Sequence, residues 1–170
     1  LGAKVVLVEK QNGFGGVATS GLVNHWHKLC SNDGKEQIIG GLTYEVIKRL
    51  EETGSAVYKD NNHYVLNTAE LKIELDRLVL ENHITPYLHT FYSAVHCDGD
   101  RPVAVFVENK NGRQAIMAKV FVDATGDGDL ARDAGLQFEI RDGLQPPSTC
   151  AAVSGLPDSI QSLIREHGDE

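Results

Sequence analysis

Positions 5–8 hold four apolar residues in a row, Val5, Val6, Leu7 and Val8, and the run ends in an acid, Glu9. A short β-branched run of this kind predicts a strand covered on both faces of a parallel sheet. Residues 11–41 follow with little periodicity and many Gly, Asn, Ser and His, and read as a long ordered loop with short structured pieces. Leu42, Val46, Ile47 and Leu50 then recur at helical spacing, with Gly54 as a stop. A second helix is predicted over 68–81: Asn67 and Glu70 resemble a capping box, and Leu71, Leu75, Leu78, Val79 and Asn82 share one face. That helix feeds a strand at 84–88. Strands at 91–96, 103–108 and 114–122 follow, and Asn109 and Gly112 bracket a hairpin turn. Residues 120–126 read as a return to the main sheet, and 130–134 as a short helix ended by Gly135. Pro146 and Pro147 break regular structure, and Ile160, Leu163, Ile164 and His167 form a last helical stripe behind Pro157.

This order of elements predicts an α/β fold, a parallel sheet with a small antiparallel meander at about 91–122. Two regions are expected: residues 1–142 as one nucleotide-binding domain, and 143–170 as the start of another. In a βαβ nucleotide fold the acid ending the second strand accepts hydrogen bonds from ribose hydroxyls, and the glycine fingerprint for the pyrophosphate lies about 20 residues before it. With Glu9 as that acid, the first strand and its glycine-rich loop precede Leu1. The chain is therefore expected to be a piece of a larger flavin- or nicotinamide-binding protein.

Two G-x-G-x-x-A patterns compete with this reading. The first spans Gly13, Gly15 and Ala18, with Asp33 at the distance of a ribose acid. It would serve as the phosphate loop of an NAD(P)-binding unit. Against it, the strand does not run directly into Gly13, no amphipathic stripe follows Ala18, and Asp33 sits in a turn-like cluster. A loop that follows the second strand is the better account, with an ordinary glycine-rich turn as the plain alternative. The second pattern, Gly126, Gly128 and Ala131, carries Asp127 and Asp129 where a phosphate cradle needs neutral N–H groups. Here Asp129 reads equally as a helix cap, and Gly126 as a point of close backbone packing.

Composition narrows the classes. Sixteen basic against twenty-four acidic residues leave a net charge of −8, which argues against a nucleic-acid or anionic-membrane surface. No apolar run is long enough to span a bilayer. Cys30, Cys97 and Cys150 make no zinc or CxxC spacing, and inert thiols in a cytoplasmic protein are expected. His25 and His27 lie in the long loop with Cys30. A histidine there could pass a proton to a substrate, whereas a surface or structural role is the plainer account. Metal binding would need a third ligand, and no metal is expected. Trp26 reads as a packing anchor. No catalytic residue is assigned.

Taken together, residues 4–10, 15–19 and 122–129 resemble the FAD-dependent oxidoreductases of the glutathione-reductase-like, two-dinucleotide-binding superfamily, nearest to the heterodisulfide reductase A-like branch. The likeness covers nearly the whole chain and is most specific in Ala124, Thr125 and Gly126. It implies a Rossmann-like FAD-binding domain lacking its first strand and Gly-rich loop, and a 143–170 segment that opens a substrate or cap domain. It implies FAD as cofactor. Glu9, with Lys10, matches the ribose acid and its neighbour. Gly15 and Gly16 match the loop passing close to the cofactor, with Ala18 and Thr19 leading toward the flavin. Tyr92 matches the segment that meets the adenine edge. Ala124, Thr125, Gly126 and Asp127 match the second FAD motif. The implied reaction is hydride or electron-pair transfer between a small-molecule substrate and FAD, with a separate electron donor or acceptor. Some larger relatives carry a 4Fe-4S cluster, for which this stretch holds no cysteine run. The alternatives are a nucleotide-binding module without redox activity and the NAD(P)-binding unit above.

Overall fold

The computed structural model describes residues 2–31, 33–59, 63–140, 142–144 and 146–167, with side chains as far as 164. Strand β1 (Val6–Val8) enters a three-residue 3₁₀ turn at Gly16–Ala18 and a two-residue strand β2 (His25–Trp26). Helix α1 (Leu42–Glu52), strands β3 (Ala56–Lys59) and β4 (His63–Leu66), helix α2 (Thr68–Glu81) and strand β5 (Thr85–Tyr87) follow. Strands β6 (Phe91–Asp98), β7 (Arg101–Asn109) and β8 (Gly112–Met117) precede the short α3 (Asp129–Asp133) and α4 (Asp158–His167).

The α/β expectation holds. β1 pairs in parallel with β5, Val6 opposite Thr85 and Val8 opposite Tyr87, and the whole stretch 9–84 forms the crossover. Two further bonds extend this ladder: Thr85 N–H donates to the Val5 carbonyl and Glu9 N–H to the Tyr87 carbonyl. Residues 85 and 87 thus face β1. By the alternation of a strand Pro86 faces outward, where its missing N–H costs no ladder bond, so β5 is an edge. The same alternation turns the backbone of Val6 and Val8 away from β5, and no described strand pairs with that side. Val5 and Val6 are exposed, contrary to the fully covered strand expected from their apolar character.

A second sheet, ordered β2-β4-β3 and antiparallel, was not anticipated from the chain's pattern. It lies against α1 and α2. Val46, Leu50, Ala56, Leu66 and Leu71 form the buried cluster, with Ala18, Trp26, Tyr64, Leu75 and Leu78 packed around it. Trp26 is a packing anchor, as expected. In α2 the Asn67 carboxamide accepts N–H bonds from Ala69 and Glu70, capping the helix. The box is only half built, because the Asn67 N–H is already used by the Ser55 carbonyl. Glu74 shares the buried face of α2 with Leu71, held at 3.0 Å by Arg49 of α1 and at 2.8 Å by Arg77.

The meander β6-β7-β8 is antiparallel throughout, and Asn109 pairs with Gly112 across the expected turn. The predicted strand at 114–122 ends at Met117. Val120 and Val122 are 77% and 82% exposed, and residues 118–124 join no sheet among the described residues. Their apolar character is that of a buried strand, but a strand needs a ladder neighbour as well as the right side chains. The return to the main sheet is therefore not formed by pairing here. Among the described residues no helix is long and apolar enough to cross a membrane.

Candidate functional site

The residues singled out from sequence fall into two groups, both attached to the segment 87–92. The first group lies at the C-terminal end of β1, the end at which parallel α/β sheets place ligands. Glu9 is half-buried. Its backbone is held on both sides by the neighbouring chain, through Tyr87 as above and by Thr90 N–H donating to the Glu9 carbonyl. One carboxylate oxygen, Oε1, accepts the Gln11 N–H at 2.6 Å, while His89 N–H bonds the Gln11 carbonyl. The second oxygen takes no bond from the described residues. A fixed carboxylate with one free oxygen at a strand end is suited to accept hydrogen bonds from sugar hydroxyls. Lys10, beside it, is exposed.

Beyond Glu9 the loop is pinned to α2. Lys72 Nζ donates to Asn12 Oδ1 at 2.6 Å, and the Lys72 stem covers the buried Gly13. Gly15 adopts a φ of 101°, and a Cβ there would lie 2.5 Å from Thr19 Cγ2 and 2.8 Å from Leu75 Cδ1. Only glycine fits both the backbone and the space. The buried Thr19 hydroxyl donates to the Phe14 carbonyl at 2.7 Å, so it closes the loop on itself, and Ala18 packs on the core. Gly16 is different. It is exposed, and nothing lies within 4 Å of where its Cβ would be. No helix follows, only the three-residue turn, so the amides of 13–18 lack the helix that a nicotinamide-type phosphate loop requires. Asp33, the ribose acid of that rival, is exposed and bound to Ser31 and Lys35 within its own turn.

The second group is the turn before α3. Asp123, which sequence reasoning passed over, organises it. Asp123 Oδ1 accepts the Thr125 N–H and hydroxyl at 3.0 and 2.8 Å, and Oδ2 accepts the Ala131 N–H at 2.9 Å. Thr125 Oγ1 in turn accepts N–H bonds from Asp127, Gly128 and Asp129. Burial pushes the Asp123 carboxyl up, but the Thr125 and Ala131 bonds outweigh it and hold it below its ordinary value. The spacing Asp-x-Thr ahead of a helix was the available signal. Two expectations are corrected here. Asp129 does not cap α3. Gly128 is the N-cap, Thr125 and Asp123 take the free amides, and Asp129 pairs loosely with Arg132 at 3.6 Å. Gly126 is not explained by close packing, since nothing lies near its Cβ position; its left-handed φ of 83° is the reason for glycine. Ala124 and Asp127 are exposed.

Tyr92 joins this turn to the meander. Its hydroxyl donates to Asp133 Oδ2 at 3.0 Å, and burial followed by that bond pushes the phenol far above its ordinary value. Thr90, 1% exposed, is the hinge between the groups. Besides meeting Glu9, its hydroxyl donates to the Leu88 carbonyl and accepts from Asn109 Nδ2 of β7. The structure thus places Glu9 and Tyr92 along one segment, with the Thr125 turn behind Tyr92. Among the described residues no hydrogen bond or ion pair links Glu9 directly to residues 124–127. His25 and His27 lie elsewhere, on and beside β2, and among the described residues no group of three His, Cys, Asp or Glu side chains is arranged to hold a metal.

Comparison with known proteins fits this architecture. No curated protein sequence is significantly similar to the chain. The crystal structure of THI4 from Thermovibrio ammonificans superposes with a TM-score of 0.54 at 17% identity, over 80% of this chain and 55% of that one. The chain thus spans about half the length of that protein, and the likeness is one of fold. A family model described as FAD dependent oxidoreductase matches residues 1–170, from β1 through the Thr125 turn to α4, and the chain belongs to the FAD-dependent oxidoreductase family.

Proposed function

We propose that this chain supplies the adenosine-gripping part of a flavoenzyme that moves hydride or an electron pair between a small-molecule substrate and FAD. One observation carries the reading: Glu9 stands at the C-terminal end of a parallel strand, anchored by one oxygen and open at the other. FAD, when bound, supplies the electron transfer, and the protein supplies placement. On this reading Glu9 accepts the ribose hydroxyls, with Lys10 beside it. Gly15 shapes the loop, Gly16 offers bare backbone to the cofactor, and Ala18 and Thr19 hold that loop from beneath. Ala124, Thr125, Gly126 and Asp127 present a second edge, kept in shape by Asp123. Tyr92 fastens that edge to the meander near the adenine side.

The free carboxylate acceptor of Glu9 fits the sugar end of FAD. A glycine-rich amide cradle for its diphosphate is not found among the described residues. The side of β1 without a partner among the described residues supports a further strand there, carrying that cradle. On the same reading residues 143–170 open a substrate domain, and the protein belongs to the heterodisulfide reductase A-like branch of its family and works in the cytoplasm with a separate electron donor or acceptor.

The test is flavin retention by the whole protein. Glu9→Ala removes a charge-assisted bond worth about 1.5–3 kcal/mol, which raises the FAD Kd roughly 10- to 100-fold. Glu9→Gln, which keeps one acceptor, falls between. Equal flavin content in wild type and Glu9→Ala, with matching circular dichroism, would remove the ribose role. A protein that takes up an adenine nucleotide and never flavin would be the non-redox module instead.

A further inference from the structure

Helix α2 carries a cation to which the ribose reading gives no task. Lys72 is half-buried near the start of the helix, and its Nζ donates to Asn12 Oδ1 at 2.6 Å, across 60 positions of the chain. Asp76 stands one turn further along, where helical ion pairs form readily. Yet among the described residues the Lys72 ammonium takes no carboxylate, and its bond goes to the neutral amide of the loop. Its stem lies over the buried Gly13 so closely that a Cβ there would collide with it. Three residues on, Leu75 meets Gly15 in the same way, a Cβ at Gly15 falling 2.8 Å from Leu75 Cδ1. One face of α2 therefore holds the loop at two points. Gln11 stands between the first of these points and Glu9. Its N–H gives Glu9 Oε1 the 2.6 Å bond, and its carbonyl accepts the His89 N–H at 3.1 Å. The Lys72 bond thus ends one residue from the amide that occupies one Glu9 oxygen and leaves the other without a bond from the described residues.

We propose that Lys72 is a positioning residue for the Glu9 carboxylate: by fixing Asn12 it fixes the Gln11 N–H, and that amide sets how Glu9 presents its second oxygen to the ribose hydroxyls. The inference rests on the ribose role proposed for Glu9. Its physical basis is the composition of the loop. Gly13, Gly15 and Gly16 give the backbone beyond Asn12 little stiffness of its own, and a bond from a helix supplies it. A carboxylate held in one orientation before the sugar arrives loses less freedom on binding than one ordered by the ligand. Lysine suits the position because its apolar stem packs over Gly13 while its ammonium reaches the loop.

The test is a double-mutant cycle on FAD affinity, read from flavin fluorescence as FAD is titrated into the whole protein freed of flavin. Lys72→Met keeps a stem over Gly13 and loses the ammonium, and Asn12→Ala loses the acceptor from the loop side. Each is expected to weaken FAD roughly three- to tenfold with unchanged circular dichroism. In the Glu9→Ala protein, Lys72→Met is expected to add no further loss, because the group it positions is gone. A merely structural role for Lys72 would weaken FAD by the same factor with and without the Glu9 carboxylate. That equal loss would overturn the inference and leave the ribose role standing, as would wild-type affinity in both Lys72→Met and Asn12→Ala beside a weakened Glu9→Ala. Wild-type affinity in Glu9→Ala would remove the ribose role and this inference together. Where Lys72→Met fails to fold, the cycle of Asn12→Ala with Glu9→Ala gives the same reading.

Discussion

Gly15 and Gly16 are neighbours with opposite reasons for being glycine. Gly15 holds a left-handed backbone and also abuts Thr19 and Leu75, so a methyl group has no room. Gly16 has a φ of 48° and open space around it. Gly15→Ala is therefore expected to cost about 2–4 kcal/mol, combining left-handed strain with overpacking, and Gly16→Ala about 1 kcal/mol from strain alone. Urea unfolding of the two variants measures the difference. Equal losses would mean that the contact with α2 contributes nothing. If Gly16 nevertheless lowers flavin retention more than Gly15 does per unit of stability lost, its bare backbone serves the cofactor. Thr90 poses a different residue-scale question, since its buried hydroxyl serves two partners while its N–H holds the Glu9 carbonyl. Thr90→Val leaves the Asn109 amide without its acceptor and is expected to cost about 1–3 kcal/mol by the same unfolding measurement.

At the scale of elements, helix α2 is set by one cap and one buried acid. Asn67→Ala removes the acceptor of two N–H bonds and is expected to cost about 1 kcal/mol, seen as a lower denaturation midpoint with unchanged slope. Glu74 is the more informative position. Burial alone pushes its carboxyl up, but the Arg49 and Arg77 bonds prevail and hold it below its ordinary value of 4.5. A carboxyl whose folded value lies below its unfolded one adds stability that is fully present above the unfolded value. That stability is lost as pH falls through the folded one. Unfolding free energy is therefore expected to fall as pH drops below 4.5, and less steeply in Glu74→Gln. An identical pH slope in the two proteins would show that the Arg49 and Arg77 pairs contribute nothing to acid stability. Asp123 obeys the same sign, since its carboxyl is also held low, and it adds to the loss at lower pH by loosening the turn before α3.

At the scale of the whole molecule, the described residues form three small sheets, and one segment joins two of them, β1-β5 and β6-β7-β8, without a continuous ladder. Residues 85–92 pair with β1, bind the Glu9 backbone, start the meander and reach α3 through Tyr92. Tyr92→Phe is expected to leave β6-β7-β8 intact and to raise hydrogen exchange at the amides of 128–134. Unchanged exchange there would mean that α3 is held by its own turn. The free edge of β1 and the exposed Val120 and Val122 are among the places where the described residues leave apolar backbone unpaired.

Much of this was legible in the residues themselves because it depends on short-range chemistry. The β-branched run before Glu9, the Asn67 cap, the stripe of α2 and the Asn109–Gly112 turn are each decided within a few positions of the chain. The sheet β2-β4-β3 was not legible, since His25 and Trp26 become a strand only because Val65 and Tyr64, some forty residues later, offer them backbone partners. Nor was the burial of Glu74, which is tolerable only with Arg49 brought across from another helix. The strand character of 118–122 ran the other way. Its side chains suit a buried strand, yet hydrogen-bonded pairing needs a second chain segment alongside, and that is a property of three-dimensional neighbours which local pattern does not contain.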